Sequence, residues 1–161
     1  MNKETTPAAP HTAGTLRPAE DRIAIEELIG AYGHFLDTGS WEAFMDLFIE
    51  DATYNISPDP KLLPLPLSGR AAITAEMQGV AKKRPAGVFP RHLATNILLR
   101  HLDGDRAGTT SFLLVVFTHA DGRSELRRAG TYVDEFCKTK NRWQFASRHL
   151  MLDTAAPPPS N

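Results

Sequence analysis

Asp37 is the side chain whose position in this sequence most clearly suggests chemistry. It stands at the end of an apolar helical stripe, followed closely by Gly39. A carboxylate there faces the negative end of the helix dipole, which costs roughly 0.3 to 1 kcal/mol when exposed. We therefore expect Asp37 to have a specific partner. A solvated Asp that begins a turn would occupy the same position and is the alternative.

His92 is the second candidate. Side-chain alternation along the strand-like segment that begins at Arg91 predicts one face made of His92, Ala94, Asn96 and Leu98. A face that mixes polar and apolar groups suits a pocket with a few polar side chains. A histidine near a strand end, hydrogen bonded to water or a backbone carbonyl, is the alternative.

An aspartate and a histidine together can form a general base. An imidazole with the ordinary pKa of about 6.5 accepts a proton near neutral pH and returns it within one turnover. A carboxylate that accepts a hydrogen bond from one ring nitrogen fixes the tautomer and leaves the other nitrogen free. Removing a proton beside a carbonyl places negative charge on the oxygen, which the Tyr32 hydroxyl or the Arg148 guanidinium would stabilise. Elimination or isomerisation would follow.

Both helper residues have simpler interpretations. Tyr32 lies on the apolar stripe of the first helix and would serve equally as a core residue. Arg148 alternates with Gln144 and Leu150 on the last predicted strand and would serve equally in an exposed ion pair.

The N-terminal half must supply the helices that position Asp37. Apolar residues at helical spacing predict a helix over residues 22–36, ended by Gly39. Ser40 is a candidate N-cap for a second helix that runs from Trp41 to about Glu50. Residues 52–56 are typical of a short strand, and residues 69–82 predict a third helix.

Residues 58–66 contain four prolines with interleaved leucines, so they cannot form the interior of a sheet. We expect this segment to cover the mouth of a cavity, although its leucines could instead pack beneath the third helix or into a dimer contact.

The C-terminal half changes to a two-residue period. Four strand-like segments cover residues 91–102, 106–119, 125–138 and 142–152, separated by turn residues. Helices followed by a meander predict an α+β fold in which the helices pack on one face of a curved, mainly antiparallel sheet. The domain is expected over residues 18–153, between a tail of residues 1–17 and a Pro-rich tail of residues 154–161 that are predicted to be disordered.

Composition excludes several classes of function. The chain has 161 residues, a formal net charge of -1 and one cysteine. It offers no basic surface for nucleic acid, no membrane span and no disulfide framework, which favours the cytoplasm. The motifs of metal, nucleotide and flavin sites are absent, so we expect no cofactor and no metal.

The segments occur in an order that resembles the SnoaL-like branch of the nuclear transport factor 2-like superfamily. The resemblance covers residues 18–152 and rests on I-x-E-L-I-x-x-Y-x-x-x-L-D, G-S-W-E-A-F-M-D-L-F-I-E-D-A-T-Y, R-H-L-A-T-N, G-T-Y-V-D-E-F and N-R-W-Q-F. It implies a cone-shaped α+β barrel whose bent sheet wraps around three N-terminal helices and encloses an apolar cavity. It also implies a homodimer or homotrimer joined through the open sheet face.

Similar enzymes are scytalone dehydratase, bile acid 7α-dehydratase and hexachlorocyclohexane dehydrochlorinase, in which an Asp–His pair acts within the cavity. The matching residues here are Asp37 and His92, and Tyr32 matches a tyrosine of the bile acid dehydratase pattern. Arg148, with Asn96 and Trp41, is expected to bind the substrate.

Three functions remain open. The first is a cofactor-independent lyase or isomerase acting on a small apolar carbonyl or hydroxyl compound, such as a polyketide, steroid or aromatic intermediate. The second is a non-catalytic subunit resembling the small subunit of aromatic-ring-hydroxylating dioxygenases, and the third is a ligand-binding module. An enzyme requires Asp37 and His92 to be hydrogen bonded beside an open cavity, whereas a subunit would have that space filled.

Overall fold

The computed structural model describes residues 17–59, 61 and 63–153. The two predicted tails lie outside the described residues, except for Arg17. The elements follow the order α1 (Arg17–Thr38), α2 (Trp41–Met45), β1 (Phe48–Ser57), β2 (Leu67–Ser68), α3 (Arg70–Lys82), β3 (Val88–Asp103), β4 (Arg106–His119), β5 (Ser124–Thr139) and β6 (Arg142–Leu152). No helix in this described part is long and apolar enough to cross a membrane.

One curved sheet contains all six strands and does not close on itself. The strands lie in the order β2-β1-β6-β5-β4-β3, and every neighbouring pair is antiparallel except β1 with β6. Helix α1 packs across β3 and β6, while α3 packs against β1 and β2. The predicted α+β class, with N-terminal helices on a mainly antiparallel sheet, is confirmed.

The predicted meander is also confirmed in detail. Strands β4 and β6 have the predicted bounds, and β3 and β5 extend slightly beyond them. The Lys140-Asn141 connection has positive φ at both residues, 48° and 64°, as a type I′ hairpin turn requires.

The second helix is shorter than predicted. Helix α2 ends at Met45, and Phe48 already belongs to β1, where a helix to Glu50 was expected. Phe48 pairs with Phe145 of β6 in the sheet and lies 5.3 Å from it between ring centroids. Sheet pairing and aromatic burial therefore override helical spacing. Ser40 precedes the helix, but its side chain makes no capping hydrogen bond.

Four β-bulges break the alternation of the long strands. The extra residues lie at Asn96 and Arg100 in β3, at Arg127 in β5 and at Ala146 in β6. Asn96 has a φ of 53°, a left-handed conformation that Asn tolerates better than most residues. Each bulge moves the residues that follow it to the opposite face of the sheet.

Candidate functional site

Asp37 and His92 form a tight hydrogen-bonded pair. Asp37 Oδ1 lies 2.5 Å from His92 Nδ1, and Asp37 Oδ2 accepts a hydrogen bond of 2.8 Å from the His92 backbone N–H. Strand β3 is an edge of the sheet, so this N–H has no neighbouring strand to bind and the carboxylate satisfies it. The Asp37 side chain is only 6% exposed, whereas the His92 side chain is 20% exposed.

A glycine on α1 allows this approach. Gly33 lies one helical turn before Asp37, on the same face of the helix. A Cβ at Gly33 would stand 2.5 Å from the His92 carbonyl oxygen, so only glycine permits this spacing between α1 and β3. The close packing of α1 thus fixes the backbone of His92, and the hydrogen bond to Asp37 fixes its imidazole.

His92 lines a cavity of about 360 Å³ between the helices and the concave face of the sheet. This volume is in the range of small-molecule sites. The lining is mostly apolar, and it contains all three tyrosines of the chain: Tyr32, Tyr54 and Tyr132. His92 Nε2 makes no hydrogen bond within the described residues, so it is the ring nitrogen available to a ligand. A wider groove of about 620 Å³ beside Glu20 and Trp143 includes neither His92 nor Tyr32.

The Tyr32 hydroxyl belongs to a buried group of phenols. Burial raises the pKa of Tyr32, which the Arg148 guanidinium opposes, and the hydroxyls of Tyr54 and Tyr132 interact with it. The pKa values of Tyr54 and Tyr132 lie well above the ordinary value, again chiefly through burial. These phenols therefore stay protonated at neutral pH and can donate hydrogen bonds.

Arg148 lies behind these tyrosines and is absent from the cavity lining. Its Nε and Nη2 atoms donate to the two Asp134 oxygens, each at 2.9 Å, and its guanidinium carbon lies 4.0 Å from the Tyr32 ring centroid and 3.8 Å from that of Tyr132. Burial alone would lower the pKa of Arg148, but the Asp134 carboxylate outweighs it and raises the pKa. Both side chains are fully buried.

Arg148 therefore lies in a different environment from the one predicted. Regular alternation from Gln144 would place Arg148 opposite the face of Trp143 and Phe145, but the bulge at Ala146 brings it onto that buried face. Its Nη1 atom has no hydrogen-bond partner within the described residues.

Two further residues expected to bind substrate lie elsewhere. Asn96 is exposed, because the bulge turns it away from the face of His92 and Ala94, and its side-chain oxygen accepts a hydrogen bond from Thr95. Trp41 packs edge-on against Phe44 on α2, at 5.9 Å between centroids, and does not line the cavity.

The lining residues that the sequence interpretation did not single out include Tyr54, Tyr132, Arg127 and Arg128. Tyr54 alternates with Ala52 and Ile56 in the predicted short strand, which was a usable signal. No sequence pattern indicated the two arginines, because their joint placement at the cavity depends on the bulge in β5.

The Pro-rich segment contributes Leu63 to the cavity lining. Leu67 is buried in β2, Leu65 is half-buried, and Leu62 lies outside the described residues.

This chain belongs to the SnoaL-like domain family, whose model matches residues 17–149. It is 28% identical over 131 residues to the anthranilate 1,2-dioxygenase small subunit of Burkholderia cepacia, covering 76% of this chain and 80% of that protein.

Two solved structures from Novosphingobium aromaticivorans share the fold. One is an NTF2-like protein with a cystatin-like fold, with a TM-score of 0.76, 27% identity and coverage of 88% of this chain and 87% of the other. The second is a proposed scytalone dehydratase, with a TM-score of 0.71, 22% identity and coverage of 89% and 97%. At this identity the second structure supports the fold alone.

Proposed function

We propose that this protein is a cofactor-independent lyase or isomerase of the dehydratase type, with Asp37 and His92 as its general base. The geometry of this pair supports the function. Asp37 occupies the Nδ1 side and the backbone N–H of His92, while Nε2 remains unpaired within the described residues and the ring lines the cavity. This is the arrangement that orients a neutral imidazole as a base.

In the proposed reaction, His92 Nε2 removes a proton from a carbon beside a substrate carbonyl. Asp37 stabilises the imidazolium that forms, and the protonated Tyr32 hydroxyl donates a hydrogen bond to the developing oxyanion. Return of the proton to another carbon gives isomerisation. Departure of a neighbouring hydroxyl group, protonated by the imidazolium, gives elimination of water.

The apolar cavity favours a small apolar carbonyl or hydroxyl compound as substrate. Aliphatic and aromatic side chains, the three tyrosines included, supply most of its wall. Such a wall excludes water and strengthens electrostatic interactions with the developing charge. We propose that Arg148 does not touch the substrate but positions Tyr32 through the contact of its guanidinium with the ring.

A non-catalytic small subunit of a ring-hydroxylating dioxygenase is the second candidate. The 28% identity to the anthranilate 1,2-dioxygenase small subunit favours it. A subunit would require a larger catalytic partner, and the open cavity beside His92 would have no chemical use.

The test begins with a panel of aromatic, polyketide-like and steroid carbonyl compounds. Compounds that bind the native state raise the unfolding midpoint in thermal-shift measurements. Each such compound is then incubated with wild type and with His92→Gln, and products are followed by chromatography. Turnover by wild type that is lost in His92→Gln supports the lyase or isomerase. Binding without turnover of any compound would favour the ligand-binding module, and stable capture by a dioxygenase large subunit would favour the subunit.

A further inference from the structure

Four basic residues line the cavity, and no acidic residue does. They are Lys83, Arg84, Arg127 and Arg128. The chain as a whole has a formal net charge of -1, so this concentration of positive charge is local. None of the four forms an ion pair within the part of the chain that the structure describes. Glu125, on the same strand as the two arginines, pairs with His119 and Arg123.

Two of these cations have a structural explanation. Lys83 and Arg84 lie at and just after the C-terminal end of α3, where positive charge is favourable to the helix dipole. Arg127 and Arg128 lie on a strand and have no such compensation.

A β-bulge brings both arginines to the cavity. Arg128 pairs with Val115 and Leu126 pairs with Val116, so Arg127 is the extra residue in β5. In a regular strand two successive side chains point to opposite faces, whereas here both line the cavity. Bulges are frequent beside binding sites because they re-aim side chains.

The arrangement is unfavourable without an anion. Burial lowers the pKa of the half-buried Arg128, and the neighbouring charge of Arg127 lowers it further. Two adjacent guanidinium groups repel one another, and the partial burial of Arg128 strengthens the repulsion, although Arg127 itself is exposed. An anionic ligand would relieve it.

The register of the sheet relates these arginines to the proposed base. His92 pairs with Val115, and Val115 pairs with Arg128, so the three residues form one row across β3, β4 and β5. Neighbouring strands lie about 4.8 Å apart, which places the His92 and Arg128 backbones about 10 Å apart on the concave face. A small molecule can therefore contact both side chains at once.

We infer that the ligand of this cavity is an apolar carboxylate whose anionic group binds Arg127 and Arg128 while its apolar body lies beside His92. The inference rests on the proposed function for the role of His92, but the anion contact itself does not require turnover. The planar guanidinium fork binds both oxygens of a carboxylate, which gives orientation as well as affinity. The arginines thereby determine which carbon of the substrate faces Nε2.

The test compares two probes of matched shape, 2-naphthoate and the neutral 2-naphthamide, by isothermal titration calorimetry. Wild type is expected to bind the carboxylate at least about tenfold more tightly, since hydrogen bonds to a charged group are stronger than neutral ones. The double variant Arg127→Gln with Arg128→Gln should bind both probes equally. Arg106→Gln, at the far end of β4 and outside the cavity, is the matched control and should keep the preference.

Added salt should weaken binding of the carboxylate and leave the amide unchanged. Equal affinity of wild type for the two probes, or no measurable binding of the carboxylate, would overturn the inference. Persistence of the preference in the double variant would overturn it too.

The His92→Gln variant separates this inference from the proposed function. It should retain the carboxylate preference even though it has lost the proposed base. If His92→Gln keeps full turnover of a substrate found by screening, the proposed mechanism fails while the anion contact stands. If the preference is absent while turnover depends on His92, only the anion contact fails.

Discussion

At the level of single residues, the hydrogen-bond partners of Asp37 explain why a carboxylate occupies this position. The helix end disfavours a carboxylate by up to about 1 kcal/mol, whereas a hydrogen bond to a charged group contributes about 1.5 to 3 kcal/mol. Two such bonds, to Nδ1 and to the backbone N–H of His92, outweigh the helix dipole. The carboxylate is thus retained where helix stability alone would remove it.

The three tyrosines give a prediction about pH. Burial raises the pKa of Tyr32, Tyr54 and Tyr132, so the folded protein holds phenolic protons that the unfolded chain loses near pH 10. Because the folded state then binds more protons, stability from these groups is complete below about pH 10 and falls as pH rises beyond it. We expect tyrosinate absorbance at high pH to appear only together with loss of the circular-dichroism signal of the fold. Ionisation of a tyrosine in the folded protein near its ordinary pKa would contradict this.

Asp37 was predicted because a carboxylate is unfavourable at a helix end, and His92 because it lies on a mixed polar and apolar face of a predicted strand. The role of Tyr32 was predicted from the family resemblance. The sequence interpretation misplaced Asn96 and the face of Arg148 because alternation assumes an unbroken strand, and single-residue bulges invalidate that assumption. Pairing in three dimensions, rather than local composition, decides where such bulges form.

At the scale of elements, the site depends on how closely α1 packs against β3. The fold class, the C-terminal strands and the third helix followed from periodicity alone. The length of α2 did not follow from periodicity, because the pairing of Phe48 with β6 is a long-range contact that no local pattern encodes.

Gly33→Ala tests this packing. The added Cβ would meet the His92 carbonyl oxygen at 2.5 Å, so we expect a loss of about 1 to 3 kcal/mol in the free energy of unfolding, despite the better helix propensity of alanine. Gly30→Ala is the matched control on the same helix, because nothing lies within 4 Å of its added Cβ. It should gain up to about 1 kcal/mol. Urea denaturation measures both, and equal effects of the two substitutions would show that the close approach is unimportant.

In the molecule as a whole, the outer face of the sheet carries several exposed apolar side chains. It exposes large side chains on neighbouring strands, among them Leu93, Phe112, Leu114, Leu126 and Met151. Leu93 and Leu114 are direct cross-strand partners, so the apolar surface is continuous between β3 and β4. Exposed patches of this kind commonly mark protein interfaces.

We predict that this face joins copies of the chain into a homodimer or homotrimer. Light scattering after size exclusion should give an oligomer at micromolar concentration, and Phe112→Glu combined with Leu114→Glu should shift it to monomer. Ile23→Glu, which changes an exposed apolar residue on α1, is the control and should leave the mass unchanged. A wild-type monomer would contradict the prediction.

In the proposed mechanism Asp37 orients His92 as a base, and the substitution Asp37→Asn removes this function. The substitution keeps the shape of the side chain but removes the charge that fixes the imidazole, so the circular-dichroism spectrum should be preserved. On a substrate found by screening, kcat should fall by about 10²- to 10⁴-fold. His34→Gln, at an exposed position on the same helix, should retain wild-type kcat. A kcat of Asp37→Asn within about twofold of wild type would show that Asp37 does not orient the base.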